Sequence, residues 1–236
     1  MTGDRLAGFL ASCDASWAGL SLTMPLKAAV LELVDDLDPR AALTRSANTV
    51  VFDADRPGKR HGYNTDVFGI TEALRSEAGD QLAAASSATI IGAGATASSA
   101  IAALAELEVR DVTVVARRPQ AAAEFAALAD ALDVTLAVEP WRNAAQWLGA
   151  DIVISTVPVG VADGLALAVP GEPGVLLDVV YSPWPSKLAS AWSSAGGTVV
   201  GGLSMLVWQA AEQVRLMTGR EAPVAAMRRA GEAASS

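Results

Sequence analysis

The sequence predicts an α/β protein of two domains, a doubly wound parallel sheet and a smaller α/β domain completed by C-terminal helices. Apolar segments of strand length alternate with helix-length segments rich in Ala, Leu and Glu, which is the pattern of parallel β/α units. Segment 111–115 does not alternate between apolar and polar residues in the way a half-exposed strand does. A glycine-rich turn at 92–97 joins a strand to a helix. These features together predict a Rossmann-type sheet.

These patterns predict the following strands and helices in chain order. Strands are predicted at 19–23, 48–53, 87–91, 111–115, 134–138, 151–155, 174–180 and 198–200. Helices are predicted at 25–34, 65–78, 95–107, 119–132, 144–148, 185–195 and 204–218. A polar, alanine-rich stretch at 79–86 and the pair Gly201-Gly202 are the expected joints. The sequence therefore predicts a first domain at 1–83, a Rossmann-type domain at 84–203, and a segment 204–236 that returns to the first domain.

The composition excludes several classes of protein. The chain has 236 residues, of which 52% are hydrophobic, so it can bury a sizeable core. A net charge of −9 repels phosphate backbones and anionic lipid, so we expect neither nucleic acid nor membrane as a partner. A single cysteine, Cys13, and a single histidine, His61, predict no disulfide and no metal site. Without a signal pattern or a long apolar run, we expect a cytoplasmic protein.

The turn at 92–97 has the G-x-G-x-x-A form of a dinucleotide fingerprint. Its residues are Gly92, Ala93, Gly94, Ala95, Thr96 and Ala97. Such glycines permit the sharp turn and the close approach of a diphosphate to the start of a helix. The next predicted strand ends in Arg117 and Arg118, with no acidic residue to bind the ribose hydroxyls of NAD. This pattern favours NADP, and the alternative is a packing turn followed by two surface arginines.

Lys27 is an unusual residue in its position. The chain has three lysines against fourteen arginines, and Lys27 falls in the first turn of a predicted helix, where the helix dipole disfavours a cation. A proton donor or a point-charge anchor explains this placement, and a lysine on a solvated face is the alternative. Two polar segments, 46–49 and 62–69, add Asn48, Asn64 and Asp66, which are either functional groups or turn and capping residues.

Segment 23–27, these two polar segments and the fingerprint, in this order, resemble the shikimate dehydrogenase family. Three later segments, 155–160, 178–183 and 202–213, are similar to the same family, so the resemblance covers about 18–219. It implies NADP-dependent interconversion of 3-dehydroshikimate and shikimate in aromatic amino-acid biosynthesis.

The resemblance also implies roles for single residues. Lys27 and Asp66 would be the catalytic pair, since the alkoxide formed by hydride transfer needs a cationic proton donor. The residues that would bind the substrate are Thr23, Asn48, Asn64, Tyr181 and Gln209. The residues that would lie near the cofactor, besides the fingerprint and the two arginines, are Thr156, Val157, Gly202 and Met205. His61, in the polar segment 59–62, is expected in a surface loop.

The sequence departs from the family pattern before Lys27. Family members carry an N-terminal strand-helix-strand with a Ser-x-Ser-Pro segment, whose hydroxyls bind the substrate carboxylate, and segment 12–16 lacks that proline. We therefore expect weak shikimate binding, and a sheet edge at 17–23 that favours a homodimer. There are two smaller departures: Ala116 stands where the family usually has Asn, and Trp208 lies beside Gln209. Two alternative functions are a related NADP reductase for another small hydroxy or keto acid and a catalytically impaired NADP-binding regulatory module.

Overall fold

A computed structural model describes residues 2–56, 58–118 and 120–235, which form two sheets. The N-terminal elements are α1 (Gly3–Ser12), β1 (Gly19–Ser21), α2 (Leu26–Ala29), β2 (Asp36–Leu37), α3 (Pro39–Thr44), β3 (Thr49–Phe52), β4 (Arg60–Tyr63) and α4 (Thr65–Ala78). Their four strands have the order β1-β3-β4-β2, in which β2 and β4 are parallel and the other neighbours antiparallel. Because β1 is an edge strand, it is available for the expected homodimer, which stays a prediction.

A short helix, α5 (Gln81–Ala84), leads into the second sheet. The elements that follow are β5 (Ser87–Ile91), α6 (Ala95–Glu106), β6 (Asp111–Ala116), α7 (Ala121–Leu132), β7 (Thr135–Pro140), β8 (Ile152–Ser155), β9 (Val175–Asp178), α8 (Lys187–Ser194) and β10 (Thr198–Gly201). All six strands are parallel, in the order β10-β9-β8-β5-β6-β7. This is the doubly wound order, so the predicted fold class is confirmed.

Apolar clusters cover both faces of this sheet. One cluster joins the sheet to α6 and α7 and includes Ile90, Ile101 and Leu104. A second cluster on the opposite face includes Leu176, Leu188 and Trp192. Buried strands of this kind need apolar residues on both sides, which is why β6 and β9 are apolar without alternation.

The last two helices of the chain are α9 (Gly202–Thr218) and α10 (Val224–Ser235). The sheets are connected by α4 and α9, which pack along each other. Ile70 and Leu74 of α4 and Met205 of α9 belong to the apolar cluster of the larger sheet. The chain therefore returns from the larger sheet to pack along α4. The domain bounds at 1–83, 84–203 and 204–236 stay a prediction. In the sequence, the strands of the smaller sheet precede the boundary at 83/84 and those of the larger sheet follow it.

Several predicted elements differ from the structure. Segment 59–62 is not a loop but contributes to β4, where His61 lies between Asp36 and Asp53 at 3.3 and 3.4 Å. The predicted helix at 144–148 falls in and just after a 3₁₀-helix, Trp141–Trp147, a tighter form common in short connecting segments. The helix predicted at 25–34 is a short α2 that continues as a 3₁₀ turn. Pro119, the predicted start of α7, lies outside the described residues.

In the described ranges, none of the helices combines the length and the apolar character needed to cross a membrane. Across the same ranges, no group of three or more His, Cys, Asp or Glu side chains is placed to hold a metal ion.

Candidate active site

A cavity of about 200 Å³ lies where α4 and α9 meet the start of α6. Most of the residues predicted to bind substrate or to act in catalysis line it, together with three predicted near the cofactor. These residues are Thr23, Lys27, Asn48, Asp66, Thr96, Tyr181, Gly202, Met205 and Gln209. They come from both ends of the chain and from both domains. The fold therefore brings residues from six separate segments of the sequence into one cavity.

Lys27 and Asp66 form an ion pair at the base of this cavity. The Lys27 Nζ donates to Asp66 Oδ2 at 2.5 Å, and the two side chains are 13% and 6% exposed. Asn48 Nδ2 donates to the other carboxylate oxygen at 2.8 Å. Because both oxygens are bonded, the buried charge is compensated and the carboxylate is held in one orientation. The Lys27 ammonium is thereby fixed at the cavity wall.

A network of amides and hydroxyls supports the pair. Asn48 Oδ1 accepts from the backbone N–H of Thr65 and from Thr49 Oγ1, both at 2.9 Å. Asn48 Nδ2 also donates to Gln209 Oε1 at 3.1 Å. Gln213 Nε2 donates to Gln209 Oε1 at 3.0 Å and to Thr49 Oγ1 at 2.9 Å. A buried network satisfied in this way rigidifies the groups that it joins, so α9, β3 and α4 share one polar core.

The fingerprint turn shows why it needs glycine. Gly92 has a φ of +113°, and a Cβ there would lie 2.5 Å from Thr156 Oγ1 and 3.1 Å from Val157 Cγ1. Gly94 has no heavy atom within 4 Å of the place of a Cβ, so an open cradle lies above the first turn of α6. The residues of this turn therefore fit a diphosphate that binds at the helix N-terminus.

A larger cavity, of about 1020 Å³, lies beside this cradle. Ala93, Gly94, Ala95 and Arg118 line it from the larger sheet. Arg118 is paired with Glu124 at 2.9 Å, and Arg117 is exposed. Since Ala95 faces this cavity and Thr96 faces the smaller one, the first turn of α6 separates the two. A long ligand bound along that turn would reach both.

Asn64 lies apart from the cavity lining. It is buried, its side chain accepts from the backbone N–H of Asp66, and its Nδ2 donates to Thr44 Oγ1 at 2.7 Å and Ser99 Oγ at 3.0 Å. In the structure it caps α4 and joins the two domains, and its contact with substrate stays a prediction. Tyr181 lies at the cavity mouth on a segment that follows β9.

The segment with Tyr181 is held by a buried carboxylate. Burial raises the pKa of Asp178, although hydrogen bonds from Ser186 Oγ, at 2.6 Å, and from the backbone of Val180 act in the other direction. Ser186 also caps α8 through the backbone N–H of Ala189. Asp178 therefore fixes both ends of the segment that carries Tyr181.

Sequence reasoning missed two residues that belong to the surroundings of the site. Gln213 bonds to Gln209, and its spacing of four residues on one helix face is a signal that could have found it. Arg45 lines the larger cavity, and no sequence pattern marks it, because its position depends on how α3 packs.

A dinucleotide fingerprint on a doubly wound sheet, beside a cavity with a lysine–aspartate pair, defines a two-domain dinucleotide-dependent oxidoreductase. Three family profiles match the chain. They are the shikimate dehydrogenase substrate binding domain at residues 1–50, shikimate/quinate 5-dehydrogenase at 74–158, and the shikimate 5'-dehydrogenase C-terminal domain at 202–230.

Individual relatives agree with these matches. The chain is 35% identical over 236 residues to the shikimate dehydrogenase (NADP(+)) of Oleidesulfovibrio alaskensis, covering 95% of this chain and 79% of the relative. It resembles the crystal structure of Mycobacterium tuberculosis shikimate dehydrogenase with a TM-score of 0.87 and 38% identity, covering 99% of this chain and 85% of that one. The Thermus thermophilus enzyme in complex with NADP(H) and shikimate gives a TM-score of 0.81 at 29% identity, with coverages of 99% and 85%. The chain belongs to the shikimate dehydrogenase family.

Proposed function

We propose that the protein is an NADP-dependent shikimate dehydrogenase, which reduces 3-dehydroshikimate to shikimate. The observation that carries the proposal is the smaller cavity, where the Lys27–Asp66 pair and Gln209 face the fingerprint helix at Thr96. The Oleidesulfovibrio relative carries the name of this activity with NADP, and the Thermus neighbour holds both ligands. These likenesses support this function rather than a reductase for another acid or an impaired regulatory module.

The turn at Gly92 and Gly94 and the first turn of α6 would hold the diphosphate of the dinucleotide. Arg117 and Arg118 would hold its 2′-phosphate, in competition with Glu124. Met205, in the wall of the smaller cavity, would lie near the reactive ring. The reduced dinucleotide supplies the hydride when it is bound.

Lys27 is well placed to supply the proton. Reduction of a ketone adds a hydride to carbon and a proton to oxygen, and negative charge develops on that oxygen during the step. Among the described residues that line the smaller cavity, Lys27 is the cationic one. An ammonium has three N–H bonds, and the bond to Asp66 uses one of them. The others can stabilise and protonate the oxygen, while Asp66 holds the ammonium in position.

The remaining lining suits a ring with several hydroxyl groups. Asn48 and Gln209 present buried amides that the surrounding network keeps in fixed orientations. Thr23 and Tyr181 present hydroxyls at the exposed side of the cavity. Fixed polar groups of this kind discriminate strongly against substrates that lack a matching hydroxyl, because the buried groups are then left unpaired.

The test is turnover of 3-dehydroshikimate by Lys27→Ala and Asp66→Asn. Each should lower kcat by at least about a hundredfold, because Lys27 would act on the reacting oxygen and Asp66 would hold Lys27 in position, and each should leave the Kd for NADPH nearly unchanged. Lys59→Ala is the matched control, since Lys59 also pairs with an aspartate, Asp36, at 2.7 Å but lies outside both cavities. Its turnover should equal that of the wild type. Full turnover in the Lys27 variant would contradict the proposed role.

Thermal unfolding of the same variants excludes loss of fold as the cause. Asp66→Asn keeps the shape of the side chain and the acceptor for Asn48, so it should remain folded even if Lys27→Ala leaves a buried carboxylate unpaired. A double variant whose kcat is no lower than that of either single variant would show that the two residues act as one pair.

A further inference from the structure

Arg45 has an unusual backbone conformation. It follows α3 and has a φ of 50° and a ψ of 40°, the left-handed region that glycine adopts without strain at the end of a helix. Its backbone N–H donates to the carbonyl of Ala41, which closes the helix. An arginine in this position costs stability relative to glycine, so the side chain needs another reason to be there.

The packing of α3 places Arg45 at the start of α6. The two helices run in opposite directions, because Arg40 at the beginning of α3 bonds to Glu106 at the end of α6 with distances of 2.7 and 2.9 Å. Thr44, the last residue of α3, is linked through Asn64 to Ser99 in the second turn of α6. Arg45 is the next residue, so it lies level with the first turn of α6.

The larger cavity confirms this placement. Arg45 lines it together with Gly94, Ala95 and Ser98 of the fingerprint region. Arg45 comes from the N-terminal domain and the other three from the larger sheet, so the cavity spans the cleft between them. The Arg45 side chain is exposed, and among the described residues it has no ion-pair partner.

The charges around this part of the cavity are positive. The first turn of α6 has no acidic residue, and its N–H groups carry the positive end of the helix dipole. Glu124 is already paired with Arg118. An additional cation beside a helix N-terminus is unfavourable unless an anion lies between them. The arrangement therefore suits an anion that both Arg45 and the helix can contact.

We propose that Arg45 binds the diphosphate of the dinucleotide from the opposite side of the cleft. This inference rests on the proposed function, and it adds a cofactor-positioning residue from the domain that binds the substrate. Arg45 would provide a planar, charge-assisted contact to phosphate oxygens that the backbone of the fingerprint turn holds from the other side. Cofactor binding would thereby draw the two domains together.

The test measures dinucleotide binding rather than activity. NADPH and NADH are titrated by fluorescence against the wild type, Arg45→Gly and Arg45→Lys. Arg45→Gly should raise the Kd of both dinucleotides about ten- to a hundredfold, since the diphosphate is common to them. Arg45→Lys should recover part of the loss, because it keeps the charge without the planar fork. The thermal unfolding temperature of Arg45→Gly should be unchanged or higher, because glycine relieves the left-handed conformation.

Glu108→Gly is the matched control. Glu108 is an exposed residue with a φ of 65° just beyond the opposite end of α6, so the substitution relieves the same kind of strain far from the cavity. Its dinucleotide affinity should equal that of the wild type. Unchanged affinity in Arg45→Gly would overturn this inference and leave the proposed function intact. A loss for NADPH alone would also overturn it, because Arg45 would then face the 2′-phosphate. A wild type that binds neither dinucleotide would overturn both proposals.

Discussion

Gly69 of α4 packs directly against α9, and substituting it by alanine tests whether this contact sets the geometry of the site. A Cβ at Gly69 would lie 2.8 Å from the carbonyl oxygen of Met205, 2.9 Å from Gln209 Cβ and 3.1 Å from Gln209 N. Two of these atoms belong to the backbone, so no rotation of a side chain can make room. Gly69→Ala must therefore push α9 away from α4 and move Gln209 relative to Asp66.

The expected magnitude follows from two opposing effects. Overpacking of this kind costs about 1–3 kcal/mol, whereas replacing glycine by alanine inside a helix gains about 1 kcal/mol. We expect a net loss of about 1 kcal/mol in the free energy of unfolding, or a fall in Tm of about 2–4 °C for a chain of this size. Because the amide of Gln209 would be displaced, kcat/KM for 3-dehydroshikimate should also fall, by about tenfold.

Gly8→Ala provides the comparison. Gly8 lies in the interior of α1, is exposed, and has no heavy atom within 4 Å of the place of a Cβ. The same substitution there should raise stability by about 0.5–1 kcal/mol and leave the kinetics unchanged. Urea unfolding and steady-state assays on both variants measure the difference. If Gly69→Ala were as stabilising as Gly8→Ala and kept full activity, the reasoning about the helix contact would be refuted.

Two further predictions concern the cradle and the smaller sheet. Gly94→Val should lower the affinity for NADPH at least about tenfold, because the new side chain would occupy the space proposed for the diphosphate. Urea unfolding should be unchanged, because the fold leaves that space open. An unchanged Kd would contradict the assignment of the cradle. Partial burial acts to raise the pKa of Asp53, but hydrogen bonds from His61, Arg56 and two backbone N–H groups lower it to about 2. Since this pKa is below the ordinary value of 3.8, the carboxylate stabilises the fold above about pH 4, and that contribution is lost as the pH falls through about 2. Asp53→Asn should therefore be less stable than the wild type near pH 6. The difference in the free energy of unfolding between the two should shrink as the pH is lowered. A difference that is constant with pH would show that the carboxylate charge is not responsible.

The larger sheet could be predicted from the sequence because its strands are buried on both faces. Runs such as 111–115 are apolar regardless of which neighbour they pair with, so their identity as strands does not depend on tertiary detail. The smaller sheet is different. The strand β4 contains Arg60, whose backbone N–H donates to Asp35, and His61, whose ring lies between Asp36 and Asp53. A charged segment of this kind resembles a loop in the sequence.

The short helix α3 was missed although its start carries a signal. Asp38 accepts from the backbone N–H of Ala41 at 2.9 Å, and Pro39 occupies the first turn, which is a common N-terminal pattern. With six residues, the helix is too short for periodicity to reveal it. Its packing against α6 is a tertiary contact, and the position of Arg45 depends on that contact.

The site residues could be named from motifs, but their relations could not. The sequence places Lys27, Asn48 and Asp66 in three separate segments, and nothing in their spacing indicates that Asn48 bonds to one oxygen of Asp66 while Lys27 bonds to the other. The same limit applies to Asn64. The resemblance implies that Asn64 contacts substrate, which stays a prediction, but nothing in the sequence indicates that Asn64 also forms a buried link between Thr44 and Ser99.

The separation of this group of residues from the fingerprint turn has a consequence for catalysis. Lys27, Asn48 and Asp66 belong to the N-terminal domain, and Gln209 is bonded to them through the same network. The proposed proton donor and the amides that would orient the substrate therefore form one rigid group. The fingerprint belongs to the other sheet, so a change in the width of the cleft moves substrate and proton donor together relative to the dinucleotide. The step most sensitive to domain position is then hydride transfer rather than proton transfer, since only the former requires atoms from both domains to meet.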